Sequence, residues 1–351
     1  MKAKHLLKKI LLTTMVVANI CTGLMAAEGK TLTLEHAITS GIDNEGKFGV
    51  MSKKIDAYEA QLKSAGQSLE SDTYHSANYQ LNDAKQQKEF IKDKVAYEVT
   101  KLYHSILVKK DEIALAKSGI DLIEKQLKQA ELKFEKGYIS QLELTKVQKD
   151  LEDQVAGLKN SETALEDLEK QFLNLTNINI KNYDSLEADT QCKPLEYENG
   201  VNTLITLNVD KYMKYREEYV ETQKGDAFEL AVRASGGVAP TATTYYTTKA
   251  DLAEREYSTE QARKDLTEQL NSTYAALEQL QKSIDVQQAS IDYNKKQLDT
   301  LKVKYNKGLA CEIDVEEAEY NLSKLEAEYE KSAYSYQEQK MLLETPWAAL
   351  A

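Results

Sequence analysis

Apolar residues recur in alternating steps of three and four from Val95 to Leu175, on either side of the turn Lys136-Gly137-Tyr138, with polar residues at the seam positions Lys109, Gln154 and Ser161. A repeat averaging 3.5 positions makes two helices wind around each other left-handedly. The pattern therefore predicts a long antiparallel coiled-coil hairpin. Its first arm carries the seam Val95, Val99, Leu102, Ile106, Ile113, Ala116, Ile120, Ile123, Leu127, Ala130 and Phe134, and its second arm carries Leu144, Val147, Leu151, Leu158, Leu165, Leu168, Phe172 and Leu175.

The hairpin pattern occurs twice in the chain. Gly137 and Gly308 are 308 − 137 = 171 residues apart, and this offset superimposes both arms on a second pair without gaps. The matched pairs include Val95 with Leu266, Val99 with Leu270, Ile106 with Leu277, Phe134 with Tyr305, and Leu151 with Leu322. A fixed internal period indicates a repeated architecture. The predicted fold class is all-α, with two tandem repeats of long antiparallel coiled-coil hairpins.

Four segments follow from this pattern: a signal peptide at 1–26, a first helical repeat at 27–177, a connector at 178–208 and a second helical repeat at 209–351. The connector is marked by Pro194, Gly200 and many Asn and Asp residues. Shorter helices are predicted at 34–38, 51–69 and 211–234, with a loop at 41–49. Residues 70–77 are polar and weakly patterned, and a further helix is predicted from about 248 to 307.

Composition agrees with extended helices. The 351 residues include 29% charged side chains but only 14 Gly and 3 Pro, which are too few turn residues for a sheet protein of this length. A coiled coil buries a narrow seam, so we expect no thick globular core.

The first residues have the pattern of a secretion signal. Four lysines precede an apolar run from Ile10 to about Met25, and Ala26 and Ala27 follow it. An uncleaved membrane anchor is the alternative interpretation, although the run is short for a membrane span. Cleavage would change the net charge from −12 to −12 − 4 = −16. An acidic surface of this kind disfavours nucleic acid as a partner.

We find no enzyme signature, no cofactor motif and no metal-ligand spacing in the sequence. The histidines are dispersed along the chain, and neither Cys192 nor Cys311 lies near one in sequence. The Gly236-Gly237 pair lacks the strand, Lys and Ser/Thr of a phosphate-binding loop. The expectation is a protein without a catalytic site or a cofactor.

Each hairpin tip has a defined turn chemistry. Gly137 and Gly308 permit the positive φ that ends a helix. Ser140 and Glu143 have the spacing of a capping box, which starts the next helix. Cys311 takes the place of the serine in the second repeat, so a weaker cap is expected there.

These features together resemble the TolC family of outer-membrane efflux and secretion channels, over nearly the whole mature chain. The resemblance rests on the opening Leu34-Glu35-His36-Ala37-Ile38, on the duplicated hairpins, and on the two tips Lys136-Gly137-Tyr138 and Lys307-Gly308-Leu309. It implies a homotrimer in the cell envelope, at the outer membrane or in the periplasm, in which long hairpins form a tunnel. It also implies that the tips dock a periplasmic adaptor and an inner-membrane pump.

The resemblance also singles out two carboxylates. Acidic residues just past the inner tip narrow the tunnel entrance in the family, and the matching positions here are Asp314 and Glu317. Three copies of each would form an acidic ring at the entrance. The alternative is that these carboxylates complement the positive end of a helix dipole, as they commonly do in first turns.

The sequence departs from the family where strands are expected. A membrane-spanning strand needs about 9 to 11 residues of alternating polarity. Residues 70–79 cannot hold two such strands, and residues 228–246 allow at most a small hairpin. We therefore expect a shortened member with the membrane β-barrel reduced or absent, so that insertion into an outer membrane is doubtful.

Two functions remain open at this point. The first is an exported subunit of a trimeric efflux or secretion tunnel whose tips dock a partner. The alternative is a barrel-less cell-envelope coiled-coil protein, structural or adaptor in role, that conducts nothing.

Overall fold

The computed structural model describes residues 30–65, 72–197, 199–223 and 227–349. The predicted signal peptide, residues 1–26, lies outside these ranges. The described residues form helices α1 Leu34–Asn44, α2 Lys47–Ser64, α3 Asp72–Glu135, α4 Gln141–Thr176, α5 Val201–Gln223, α6 Ala227–Ala234, α7 Ala242–Asn306 and α8 Glu312–Glu344. Strands β1 Thr31–Leu32 and β2 Ser185–Leu186 pair in parallel, and 3₁₀ turns cover Ile180–Asn182 and Pro346–Ala348.

Two long hairpins dominate this architecture, which confirms the predicted all-α class. Helices α3 and α4 form the first hairpin, and α7 and α8 form the second. At about 1.5 Å per residue, α3 and α7 are each roughly 95 Å long. Helix α3 packs against both α4 and α8. The four long helices therefore follow one another in the order α4, α3, α8, α7, which leaves α4 and α7 at the two edges.

The predicted seams form the cores. The first hairpin buries Val95, Val99, Tyr103 and Ile106 of α3 against Phe172 of α4. Along the second hairpin the matched positions Leu266, Leu270, Leu277, Ile284, Ile291 and Leu298 are all buried. Each Å² of apolar surface removed from water stabilises the fold by about 25 cal/mol, so these seams are the main stabilising contacts. Phe134, the last predicted seam residue of α3, is 37% exposed because the seam ends before the tip.

The predicted loop at 41–49 is too long, because α1 runs through Gly41 to Asn44 and α2 begins at Lys47, so only residues 45–46 separate the two helices. A Cβ atom at Gly41 would lie 2.7 Å from the Val99 Cγ2 atom. Glycine is therefore needed there for a close approach between α1 and α3, and it does not mark a chain break. The sequence pattern alone cannot separate these two uses of glycine.

Helix α5 begins at Val201, inside the predicted connector. Its Ile205, Val209 and Met213 pack against Leu266 and Leu270 of α7. Asn202, Thr203 and Asn208 interrupt the short apolar pattern, which explains why the sequence favours a loop there. The segment predicted as one helix at 211–234 contains parts of α5 and α6 in the described ranges.

The two intervals at which the TolC resemblance implies strand pairs, 70–79 and 228–246, are helical over most of their described residues. Residues 72–79 belong to α3, and residues 242–246 belong to α7. The sequence allows at most a small hairpin at 228–246, and the described residues there form none: they form α6, a turn and the start of α7, which agrees with the expected reduction of the strands. Gly236 and Gly237 make this turn with φ of 71° and 85°. None of the described helices has the length and apolarity needed to cross a membrane.

Two contacts tie the chain ends to the hairpins. The Tyr103 hydroxyl lies 2.7 Å from the Leu32 carbonyl and 2.9 Å from the Glu187 carbonyl, so it joins α3 to the strand pair. At the other end of the chain Trp347 stacks on Phe90 with ring centroids 4.5 Å apart. Its Nε1–H donates to Asp93 at 2.6 Å, which anchors the last described turn on α3.

Candidate functional site

The first hairpin tip is a glycine-dependent helix ending. Gly137 adopts φ of 73°. Its N–H donates to the Phe134 carbonyl at 2.9 Å, and the Tyr138 N–H donates to the Lys133 carbonyl at 2.8 Å. This pair of bonds is a Schellman motif, which satisfies carbonyl groups that the helix end would otherwise leave open. Lys136 and Tyr138 flank the glycine and are both exposed.

The second tip repeats this geometry 171 residues later. Gly308 adopts φ of 71°. Its N–H donates to the Tyr305 carbonyl at 2.8 Å, and the Leu309 N–H donates to the Lys304 carbonyl at 2.9 Å. The flanking helices end at Glu135 and Asn306 and restart at Gln141 and Glu312, so the offset holds to the residue. The two tips are therefore structural equivalents.

The helix caps beyond the tips differ between the repeats. In the first, the Glu143 N–H donates to Ser140 Oγ at 3.3 Å, and the Ser140 N–H donates to Glu143 Oε2 at 2.7 Å. The backbone hydrogen bond from Ser140 lowers the pKa of Glu143. In the second, the Cys311 N–H donates to Asp314 Oδ2 at 3.0 Å. The reciprocal position there holds a thiol, which is a weaker acceptor than a hydroxyl.

The tips expose large apolar side chains. Tyr138, Leu142 and Leu309 are 76%, 80% and 74% exposed. Leu142 is missing from the set of predicted site residues. The sequence could have indicated its exposure, because Leu142 lies at the start of α4 and is not in phase with the apolar seam that begins at Leu144. Exposed apolar clusters of this kind mark interaction surfaces more often than isolated apolar residues do.

Asp314 and Glu317 are both exposed, and each has a partner within the chain. Asp314 accepts the Cys311 N–H described above, as a helix-capping carboxylate does. Glu317 Oε1 accepts a hydrogen bond from Gln126 Nε2 of α3 at 2.6 Å. Next to this contact, Lys125 pairs with Glu316. Glu316 and Glu317 therefore help to join the two hairpins, whereas Asp314 caps its own helix.

Both edge helices carry exposed apolar residues on one side. Six large apolar side chains of α7 are exposed, and four of them, Tyr246, Tyr257, Val286 and Tyr293, are separated by 11, 29 and 7 residues; the other two, Val303 and Tyr305, lie close to the second tip. With 3.6 residues per turn these separations are close to whole numbers of turns, so the four side chains lie in one line. On α4, Val155 and Leu173 are 18 residues apart, which is about five turns, whereas Leu142 belongs to the tip and lies off this line. Each edge therefore presents an apolar stripe.

Within the described ranges, no group of three or more His, Cys, Asp or Glu side chains is placed to hold a metal ion. Cys192 and Cys311 are both free thiols. The features that stand out are therefore surfaces: two tips and two edges.

No known family model and no characterised protein matches the sequence. The fold does match solved structures. A membrane protein from Pseudomonas aeruginosa aligns with a TM-score of 0.67 at 11% identity, over 93% of this chain and 98% of that one. The outer membrane protein VceC from Vibrio cholerae gives 0.64 at 12% identity, over 89% and 95% of the two chains. The CmeC outer membrane channel of Campylobacter jejuni gives 0.62 at 13% identity, over 90% and 85%.

These alignments include both hairpins, because they extend over about nine tenths of the chain. At 11–13% identity most aligned positions hold different residues, so the sequence indicates this fold only through its heptad seams and its glycine tip turns. The chain therefore has the fold of the TolC-type outer-membrane channel proteins.

Proposed function

We propose that the mature chain is a subunit of a homotrimeric tunnel for efflux or secretion in the cell envelope, and that its hairpin tips dock a periplasmic adaptor and its pump. The observation that carries this proposal is the pair of apolar stripes on the outer edges of α4 and α7. In a monomer both edges of the four-helix layer would face water, and apolar side chains in line along them would have no partner.

Ring closure gives both stripes a partner. The layer order α4, α3, α8, α7 leaves α7 of one copy free to meet α4 of the next. Tyr257, Val286 and Tyr293 would then face a second helix in place of water. Tyrosine suits such a contact, because it buries a large apolar area and keeps a polar group for hydrogen bonding. A heterologous contact of this type closes into a ring when its rotation angle allows.

The tips supply the docking surface. Tyr138, Leu142 and Leu309 form exposed apolar surface on two equivalent turns, next to Lys136 and Lys307. A rigid glycine turn holds these side chains at fixed positions on each hairpin. A helical partner with an apolar face and acidic flanks would fit this chemistry.

The oligomeric state tests the proposal directly. Residues 27–351, purified without detergent, should sediment as an elongated particle with three times the monomer mass. Tyr257→Glu combined with Tyr293→Glu should give monomers, because charged side chains at both positions oppose burial of the α7 stripe. Leu207→Glu is the matched control, since Leu207 is exposed on α5, which packs against both α3 and α7 and is therefore not an edge helix. A wild-type monomer, or a trimer that survives the double substitution, would contradict the proposal.

Tip docking is tested separately. A photo-cross-linking residue at position 138 or 309 should give an adduct with an adaptor protein in intact cells, and the same residue at position 50 should not. Trimers without this adduct would favour the second candidate, a cell-envelope coiled-coil protein that conducts nothing. The observation behind that alternative is that described residues 72–79 and 242–246 are helical.

In such a trimer we place Asp314 and Glu317 near the entrance, beside the exposed Cys311 thiol. Three copies of both carboxylates would favour a cationic thiol reagent over an anionic one at Cys311, in a Cys192→Ser background. Asp314→Asn with Glu317→Gln should remove this preference, and Glu143→Gln on the other hairpin should leave it. Equal reaction rates for both reagents in the wild-type trimer would contradict the acidic ring, and helix capping would then be the role of Asp314.

A further inference from the structure

A polar cluster lies between the two hairpins, where α3 packs against α8. Helix α3 contributes His104 and Asp111, and α8 contributes Glu330, Tyr334 and Glu338. His104 Nδ1 lies 3.1 Å from Glu338 Oε1, and the His104 ring stacks on the Tyr334 ring with centroids 4.5 Å apart. The cluster therefore joins residues that are more than 200 positions apart in sequence.

The central contact of this cluster joins two carboxyl groups. The contacts of His104 with Glu338 and of Lys125 with Glu316 fix the antiparallel register of α3 and α8, which sets Asp111 opposite Glu330. The two carboxyl groups are in hydrogen-bond contact there, and both are partly buried. An ionised carboxylate accepts hydrogen bonds but has no hydrogen to donate. A hydrogen bond between two carboxyl groups therefore requires one proton. Burial, and then the Asp111 charge, raise the pKa of Glu330 to about 7.

Tyr334 adds a second, independent observation. It is only 2% exposed, yet its hydroxyl has no hydrogen-bond partner. Burial, followed by the charges of Glu330 and Asp111, raises the pKa of this hydroxyl. A buried hydroxyl without a partner is costly unless a neighbouring group can use it. The Tyr334 hydroxyl makes no hydrogen bond to the carboxyl pair in the structure, but both carboxyl charges act on it, so it is an unused donor close to the pair.

The surrounding charges do not neutralise the pair. The groups that act on Glu330 and Tyr334 from nearby elements are Glu326 of α8, Tyr103 of α3 and Asp189 of the connector. Lys295 of α7 is paired with Glu326 at 2.9 Å. On α3, Lys109 is paired with Glu112. Two ionised carboxylates here would therefore repel each other across the contact between α3 and α8.

We propose that Asp111, Glu330 and Tyr334 form a proton-binding site between the two hairpins, and that the bound proton holds α3 against α8. The ligand is a single proton shared by the carboxyl pair. Loss of this proton leaves like charges on facing helices and weakens the joint. The site is separate from the tips and from the edges used in the proposed trimer.

The sign of the pH dependence follows from linkage. Glu330 has a higher pKa in the folded chain than its ordinary value of 4.5. Its contribution to stability is complete below that ordinary value and is lost as pH rises toward about 7. Above this range the contribution is absent, so the joint is strongest in mildly acidic solution.

Thermal unfolding of residues 27–351 from pH 5 to pH 8, at constant ionic strength, tests the site. Glu330→Gln supplies an amide hydrogen for Asp111 at any pH. This variant should therefore match the wild type near pH 5 and unfold at a higher temperature at pH 8, and Asp111→Asn should behave alike. Glu319→Gln is the matched control, because Glu319 pairs with Lys302 at 2.8 Å on the same helix, and it should keep the wild-type profile. A Glu330→Gln variant with the wild-type profile, or one that is less stable at pH 8, would overturn the proposal.

A second measurement does not depend on stability. In protein labelled with ¹³C at the Glu and Asp carboxyl carbons, the resonance that disappears in Glu330→Gln should titrate near pH 7. Titration of that resonance below pH 5 would exclude the shared proton. An alkali cation is the competing ligand. Stabilisation at pH 8 by sodium or potassium chloride, but not by tetramethylammonium chloride, would assign the site to that cation and overturn the proton assignment.

Discussion

The same substitution, glycine to alanine, should have opposite effects at two positions of the first hairpin. Gly137 has φ of 73°, and a Cβ atom there would meet no atom within 4 Å. Backbone strain is therefore the only cost in the folded state, about 1–2 kcal/mol for a non-glycine residue in the left-handed region. Reduced entropy of the unfolded chain offsets about 0.4–1 kcal/mol of it. Gly137→Ala should destabilise the protein by about 1 kcal/mol.

Gly157 is the matched control. It lies inside α4, is exposed, and also has open space where a Cβ atom would be. Alanine is favoured over glycine in a helix interior by about 0.5–1 kcal/mol. Gly157→Ala should therefore stabilise the protein, so the two variants should differ by roughly 2 kcal/mol in the free energy of unfolding, from the sum of these two effects.

Urea unfolding followed by circular dichroism at 222 nm measures this difference. Gly308→Ala should match Gly137→Ala, because its φ of 71° and its open surroundings are the same. Gly137→Asn should recover part of the loss, since asparagine tolerates the left-handed region better than alanine does. Equal effects of alanine at positions 137 and 157 would refute the assignment of the tip turn.

Three further substitutions test the caps, the seam and the chain end by the same unfolding assay. Ser140→Ala should cost about 1 kcal/mol by removing a cap acceptor, while Cys311→Ser should add stability of similar size; no gain for the serine would show that the thiol caps equally well. Leu277→Ala should cost about 2–5 kcal/mol because Leu277 is fully buried, whereas Leu207→Ala on exposed α5 surface should change stability by less than about 0.5 kcal/mol. Trp347→Ala should cost about 3–5 kcal/mol by emptying the stack at the chain end, and a loss below 1 kcal/mol would mean that this turn does not hold α3.

The sequence predicts the hairpins well because their signal is local and periodic. The seam positions repeat every heptad, and the tip glycines fix both helix ends to the residue. It fails at Gly41 and at α5, where the fold depends on contacts with distant helices. Gly41 is explained only by the nearby Val99 side chain, and the start of α5 only by its packing on Leu266. Residue type alone suggested a loop at both places.

The joint between the hairpins shows why part of the site is invisible in sequence. Seams within a hairpin are apolar and periodic, whereas α3 meets α8 through single contacts such as Lys125 with Glu316 and Gln126 with Glu317. Along the same joint, Tyr320 lies where a Cβ atom on Gly119 would come within 3.1 Å. These partners are about 190 residues or more apart and follow no period. Polar contacts that are partly solvated contribute less than apolar burial, so each hairpin should hold together more strongly than the joint does. A change in charge at Asp111 and Glu330 therefore acts on the joint between α3 and α8, which is weaker than the apolar seams within each hairpin, so one proton has a larger effect there.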